Sequence, residues 1–169
     1  MPILIPVYDT GVTLTEVPDR VSFYVEFGEC TQHCEGCHSP HLWNPVTPKM
    51  DLSALKELAE DAVAKGANAI VLMGGTTNNI GMFRLINIIN TLAKVAPVCL
   101  YSGSDDEARN DFIIRNSNLT WVKTGSYKAN LGGLSSDTTN QKFYRKVYVD
   151  YPNGDKLLTL LDETYRFRI

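Results

Sequence analysis

The spacing of apolar residues changes character several times along the chain, and each change marks an element. From Arg20 to Phe27 (RVSFYVEF) β-branched and aromatic residues partly alternate with polar ones, which predicts a strand running into a Gly28-Glu29-Cys30 turn. Asp51 can cap a helix on which Leu52, Leu55, Leu58, Ala59, Ala62 and Val63 share one face, with Gly66 as its stop. Ala69 to Met73 is wholly apolar and short, as a buried strand is. The same order then repeats: a helix from about Ile80 to Val95, a strand Pro97 to Tyr101, a helix from about Asp105 to Asn116 and a strand Leu119 to Lys123.

Strands that alternate with helices imply a parallel sheet. Lys142 to Asp150 and Lys156 to Leu161 read as a further strand pair joined through Pro152-Asn153-Gly154, since Asn-Gly favours a tight hairpin turn. Residues 124 to 141, rich in turn formers between apolar segments, read as a functional loop. A full eight-stranded barrel takes about 250 residues. The expectation is therefore an α/β fold built as an incomplete (partial) β/α barrel, with parallel strands, outer helices and a C-terminal strand pair.

Composition bounds this picture without naming a partner. A chain of 169 residues that is 44% hydrophobic and 21% charged can bury one sizeable core, so a single domain over residues 1–169 is expected. The N-terminus lacks the basic start and continuous apolar stretch of a secretory signal, and no run approaches a membrane span, so a cytoplasmic protein without membrane attachment is expected. A net charge of −3 gives no global attraction to nucleic acid.

Three of the four cysteines fall within Cys30-Thr31-Gln32-His33-Cys34-Glu35-Gly36-Cys37-His38-Ser39-Pro40-His41-Leu42-Trp43. Such clustering suits metal ligation in a reducing compartment better than disulfides. Thiolates separated by three and then two residues can all point into one compact loop. A cubane held by only three of them leaves one iron able to bind something else. Zinc bound by these cysteines and one of His33, His38 or His41 uses the same residues and stays open as an alternative. Cys99, within Pro97-Val98-Cys99-Leu100-Tyr101, reads as a buried core thiol, and Trp43 as a core indole.

CxxxCxxC after the first strand of a β/α chain resembles the signature of the radical S-adenosylmethionine (SAM) superfamily. The fuller pattern C-T-x-H-C-x-G-C-H-S-P-x-L-W is similar to the cluster loop of the activating proteins of anaerobic ribonucleoside-triphosphate reductases, in which Gly-Cys commonly stands where Gly36-Cys37 does. Leu72-Met73-Gly74-Gly75 resembles the paired glycines whose backbone receives the SAM amino group, although Thr76-Thr77 stands where an acidic residue and proline are usual. Tyr101-Ser102-Gly103 and Thr138-Thr139-Asn140-Gln141-Lys142 resemble two further segments of that family.

The resemblance implies a 4Fe-4S cluster on Cys30, Cys34 and Cys37, through which the catalytic chemistry runs. It also implies SAM held beside Gly36, Cys37, His38, Gly74, Gly75 and Ser102. The implied activity is that of an oxidoreductase activase: reductive cleavage of SAM gives a 5′-deoxyadenosyl radical, which installs a glycyl radical on the large catalytic subunit of the anaerobic reductase. A flavodoxin or ferredoxin-like protein is the implied electron donor. The alternatives are an activase of another glycyl-radical enzyme, a small-molecule radical SAM enzyme, and a zinc-stabilised binding module without catalysis.

Overall fold

A computed structural model describes residues 2–37 and 39–168. In chain order the elements are β1 (Leu4–Ile5), β2 (Val7–Thr13), β3 (Ser22–Phe27), β4 (Met50–Asp51), α1 (Leu52–Ala64), β5 (Ala69–Met73), α2 (Met82–Leu92), β6 (Val98–Tyr101), α3 (Glu107–Asn116), β7 (Leu119–Thr124), β8 (Lys142–Asp150) and β9 (Lys156–Asp162). Single turns of 3-10 helix lie at Pro40–Trp43 and Thr164–Phe167.

Seven strands form one mixed sheet in the order β2-β3-β5-β6-β7-β8-β9. β3, β5, β6 and β7 run parallel, each pair joined by a helical crossover. β2 borders them antiparallel on one side, and the β8–β9 pair does so on the other. The two-residue strands β1 and β4 make a separate antiparallel ribbon. Pro6 divides β1 from β2, and because proline has no N–H to donate, the ladder changes partner there. Alternation is too weak over residues 4–13 for sequence to reveal either strand, so the strand preceding the cysteines is the first parallel strand and not the first strand of the sheet.

Strand pleating sends alternate residues to opposite faces. Val25, Leu72, Leu100 and Val122 lie side by side across the parallel strands and join the larger core with Leu55 and Ala59 of α1, Leu85, Ile88, Ile89 and Leu92 of α2, and Ile113 and Ile114 of α3. Each large aliphatic side chain withdrawn from water here contributes about 1.5–3 kcal/mol. On the opposite face Val71, Cys99, Trp121 and Phe143 pack with Val17, Leu134 and Phe167. Cys99 is fully buried there, and burial pushes its thiol well above the ordinary range.

Asp51 caps α1 by accepting from the Ser53 N–H at 3.3 Å, and Gly66 follows at φ 116°. Leu58, expected on the buried face, is 39% exposed: α1 buries a narrow stripe of Leu52, Leu55 and Ala59. α2 is shorter than its apolar run because Asn78 accepts the Ile80 N–H at 3.2 Å and Gly81, at φ 85°, sets the helix start. The β8–β9 connection spans residues 151–155, with the Tyr151 N–H bonded to the Asp155 carbonyl at 2.8 Å, and is wider than the tight turn that Asn153-Gly154 suggests.

Candidate functional site

One residue beyond the buried row, Glu26, Met73, Tyr101 and Lys123 stand in register across the carboxyl ends of the four parallel strands. The loops that leave these ends meet above them. The cysteine loop rises from β3 and is tied back by its own backbone: the Glu29 N–H reaches the Asn44 carbonyl at 3.1 Å and the Cys30 N–H that of Leu42 at 2.8 Å. Glu29 and His33 turn the chain at φ 61° and 49°. The Glu29 carboxylate accepts from the Val46 N–H and Lys49 Nζ, each at 3.1 Å, which holds its pKa low, the backbone bond contributing most. A second tie comes from the β5 loop, where the Thr77 carbonyl accepts from the Thr31 N–H at 2.7 Å.

Cys30, Cys34 and Cys37 all line a cavity of about 160 Å³, together with Gly74, Thr77 and Lys123. Each sulfur has a hydrogen-bonding neighbour. Thr77 Oγ1 lies 3.0 Å from Cys30 Sγ, Gln32 Nε2 donates to Cys34 Sγ at 3.3 Å, and the Ser39 N–H donates to Cys37 Sγ at 3.3 Å. Among the described residues no three His, Cys, Asp or Glu side chains group closely enough to hold one metal ion. Zinc draws every ligand to about 2.0–2.3 Å of one point, whereas a cubane takes each thiolate on a different iron and spreads them around the cluster. The three thiols border one cavity, as the second arrangement requires. A wider cavity of about 430 Å³ adjoins the first and shares Cys37, Ser39, Tyr101, Lys123, Tyr127 and Gln141 with it.

Lys123 is the cation of this site and is only 7% exposed. Its Nζ donates to the Gly125 carbonyl at 3.1 Å and lies 5.7 Å from the centre of the Tyr101 ring, and no carboxylate pairs with it among the described residues. Burial lowers its pKa to about 8, opposed by the nearby Cys34, Cys99 and Asp105. A buried ammonium with no carboxylate in ion-pair contact is costly even with Asp105 nearby, and this one faces space into which an anionic group can come. The Tyr101 hydroxyl donates to the Glu16 carbonyl, and burial raises its pKa.

The residues assigned from sequence divide into two groups. Gly74, at φ 97°, lines the cavity, but Gly75 faces the core: a Cβ there would lie 2.9 Å from Leu85 Cδ1 and 3.3 Å from the Phe27 ring. Gly36, at φ 70°, lies against the late loop, with 3.0 Å from its would-be Cβ to that of Ala129. Ser102, expected beside SAM, is fully buried. Its hydroxyl donates to Asn110 Oδ1 at 2.7 Å and bonds Thr76 Oγ1 at 2.9 Å, so it fastens the start of α3 and does not line the cavity. Gly103 of the same turn does reach the site, its carbonyl accepting from Gln32 Nε2 at 2.7 Å. His38 lies outside the described residues. His41 bonds Glu26 at 2.9 Å, and Trp43 is half-buried and stacks on His33 with centroids 4.4 Å apart, so it lines the cavity and is not a core indole.

The late loop is fixed at its root. Asp105 accepts from the Ser126 hydroxyl at 2.6 Å and its N–H at 2.8 Å, which lowers the carboxyl pKa, the hydroxyl contributing most. Asn140 donates to the Ser126 carbonyl at 3.0 Å and Gln141 to that of Gly125 at 3.3 Å. Lys123, Thr77 and Gln32 are the site residues that sequence reasoning passed over. Only Lys123 had a signal of its own, a lone cation ending the otherwise apolar-rich strand LTWVKT.

A family model described as a 4Fe-4S single cluster domain matches residues 19–123, more than half of the chain. The matched stretch runs from just before β3 to the last residues of β7, and so takes in the cysteine loop, all four parallel strands and the three helices. Nothing matches among curated proteins or solved structures. No helix among the described residues is long and apolar enough to cross a membrane.

Proposed function

The chain belongs to the 4Fe-4S single cluster domain family, and from that premise we propose that it is a radical SAM activase that installs a glycyl radical on the large subunit of an anaerobic ribonucleoside-triphosphate reductase. The observation that carries this reading is the meeting of three cysteines, a strand-end glycine and a buried, unpaired lysine around one cavity. Cys30, Cys34 and Cys37 would hold the cluster, three thiolates for four irons, and so leave one iron free for SAM. Gly74, whose φ of 97° favours glycine, turns the strand end beside the cavity, where its backbone would receive the SAM amino group, and Lys123 would neutralise the SAM carboxylate. On this reading the four parallel strands and their helices serve as the incomplete β/α barrel of the radical SAM type, and their shared carboxyl-end site supports it.

When bound, the reduced cluster and SAM supply a 5′-deoxyadenosyl radical, and the protein supplies position and shelter from water. Lys123 and Tyr101 set the polar floor between the two cavities, and Trp43 closes the cluster side. The wider cavity, bordered by the loop after β7, receives the glycine-bearing segment of the reductase subunit. The electron comes from a flavodoxin or ferredoxin-like donor. The zinc-module reading predicts the same cysteines with no redox chemistry.

Anaerobic reconstitution with iron and sulfide tests both. A brown, oxygen-labile protein that cleaves SAM on reduction, and that raises a glycyl-radical EPR signal when mixed with its reductase, is the expected result. A colourless protein with stoichiometric zinc overturns the cluster. SAM cleavage without the glycyl signal overturns the activase assignment alone.

A further inference from the structure

The three cysteine sulfurs do not receive their hydrogen bonds from equivalent places. The donors to Cys34 and Cys37, Gln32 and the Ser39 N–H, belong to the cysteine loop itself, whereas Thr77 comes from the loop after β5. Thr77 is held independently of its hydroxyl: its carbonyl accepts from the Thr31 N–H at 2.7 Å and from Thr31 Oγ1 at 3.0 Å, and its own N–H reaches the Gly74 carbonyl at 3.3 Å. Its Oγ1 lies 3.0 Å from Cys30 Sγ and 3.3 Å from the Gly74 carbonyl oxygen, so one hydroxyl proton has two acceptors. While Cys30 is a thiol, either partner can donate. Once Cys30 binds iron it is a thiolate with no proton, and only Thr77 can donate.

Hydrogen bonds to ligand sulfurs stabilise the more electron-rich, reduced state of a cluster and so raise its potential. We propose that Thr77 is a positioning residue for the cluster, whose hydroxyl donates to the Cys30 thiolate and makes the cluster easier to reduce. This rests on Cys30 being a cluster ligand. Thr77 itself binds neither iron nor substrate. Its hydroxyl shifts from the Gly74 carbonyl to the sulfur on loading, which couples the Gly74 turn to the state of the cluster. No bond is made or broken beyond that hydrogen bond, and the electron still comes from the external donor.

The test is a spectroelectrochemical titration of reconstituted, SAM-free protein, with iron and sulfide content measured on each sample. Thr77→Val replaces the hydroxyl with a methyl of similar size, and Thr77→Ser keeps the hydroxyl. Thr77→Val is expected to load iron as the parent does but to be reduced about tenfold less at a fixed potential, ~59 mV lower for a one-electron couple, while Thr77→Ser stays near the parent value. Thr77→Ala removes the same donor and carries the measurement if the valine variant loads poorly. A parent protein that binds no cluster defeats the ligand assignment. Loaded Val or Ala variants with an unchanged midpoint overturn the role of Thr77 and leave that assignment standing.

Discussion

Two neighbouring rows of the same sheet do opposite work. Val25, Leu72, Leu100 and Val122 are no more than 1% exposed and meet three helices, whereas one residue later on each strand Tyr101 and Lys123 line the cavities, Glu26 bonds His41 and Met73 packs on the second core. The first row is interchangeable chemistry, in which any well-shaped apolar side chain stabilises the sheet. The second includes a buried ammonium that weakens the ligand-free protein. On β6 and β7 a single step along the strand thus separates the core from the site, which is the general arrangement of α/β sheets whose sites lie beyond the carboxyl ends.

The sharpest way to break this division is at the thiols. Cys34→Ala is expected to abolish cluster loading, read as lost iron and lost visible absorbance, with far-UV circular dichroism unchanged. Cys99→Ala, a change in the core beneath the site, is expected to retain the cluster. If both lose iron alike, the separation fails.

Next in size is the helix face. Leu55→Ala should destabilise the protein by about 2–5 kcal/mol in urea unfolding because it leaves a cavity at a fully buried position. Leu58→Ala, three residues on but exposed, should change stability by less than about 0.5 kcal/mol. Both should still load iron at low temperature.

Smallest is the pH response of Lys123. Its pKa falls from 10.5 in the unfolded chain to about 8 when folded, so between these values the unfolded state binds the extra proton and stability rises with pH. The whole gain is at most about 3 kcal/mol. Buried Cys99 and Tyr101, whose pKa values are raised, act in the opposite sense at alkaline pH, because the unfolded chain loses their protons first. Lys123→Met keeps those two groups, so the difference between parent and variant in the metal-free state isolates the lysine. That difference should move in favour of the parent from about pH 8 to 10.5 and be flat below it.

Sequence made the buried half of this molecule easiest to read. β5 stands out because Ala69 to Met73 is a continuous apolar run, and α1 because its cap, stripe and stop all agree. Residues 4–13 gave no such signal, since Pro6 breaks the run and the strands alternate poorly, so the antiparallel edge was missed. In the site, the cysteines were legible because all three lie within eight consecutive positions. Thr77, 47 residues from the sulfur it touches, was not, because nothing in a threonine announces the loop it will meet. Ser102 misled for the complementary reason: its place after β6 suits a ligand contact, but its hydroxyl is used up by Thr76 and Asn110.

The late loop is largely bonded to itself above its root at Asp105. Ser136 and Thr138 both donate to the Leu131 carbonyl at 2.7 Å, and Thr139 donates to that of Gly132 at 3.0 Å. A segment folded on its own carbonyls behaves as a cassette between two clamped ends, provided that a replacement keeps a small side chain against Gly36 and an apolar one at the second core, as Ala129 and Leu134 do. A graft of residues 127–139 is therefore the natural unit for reshaping the wider cavity that this loop borders while leaving the cysteine loop's own backbone ties in place.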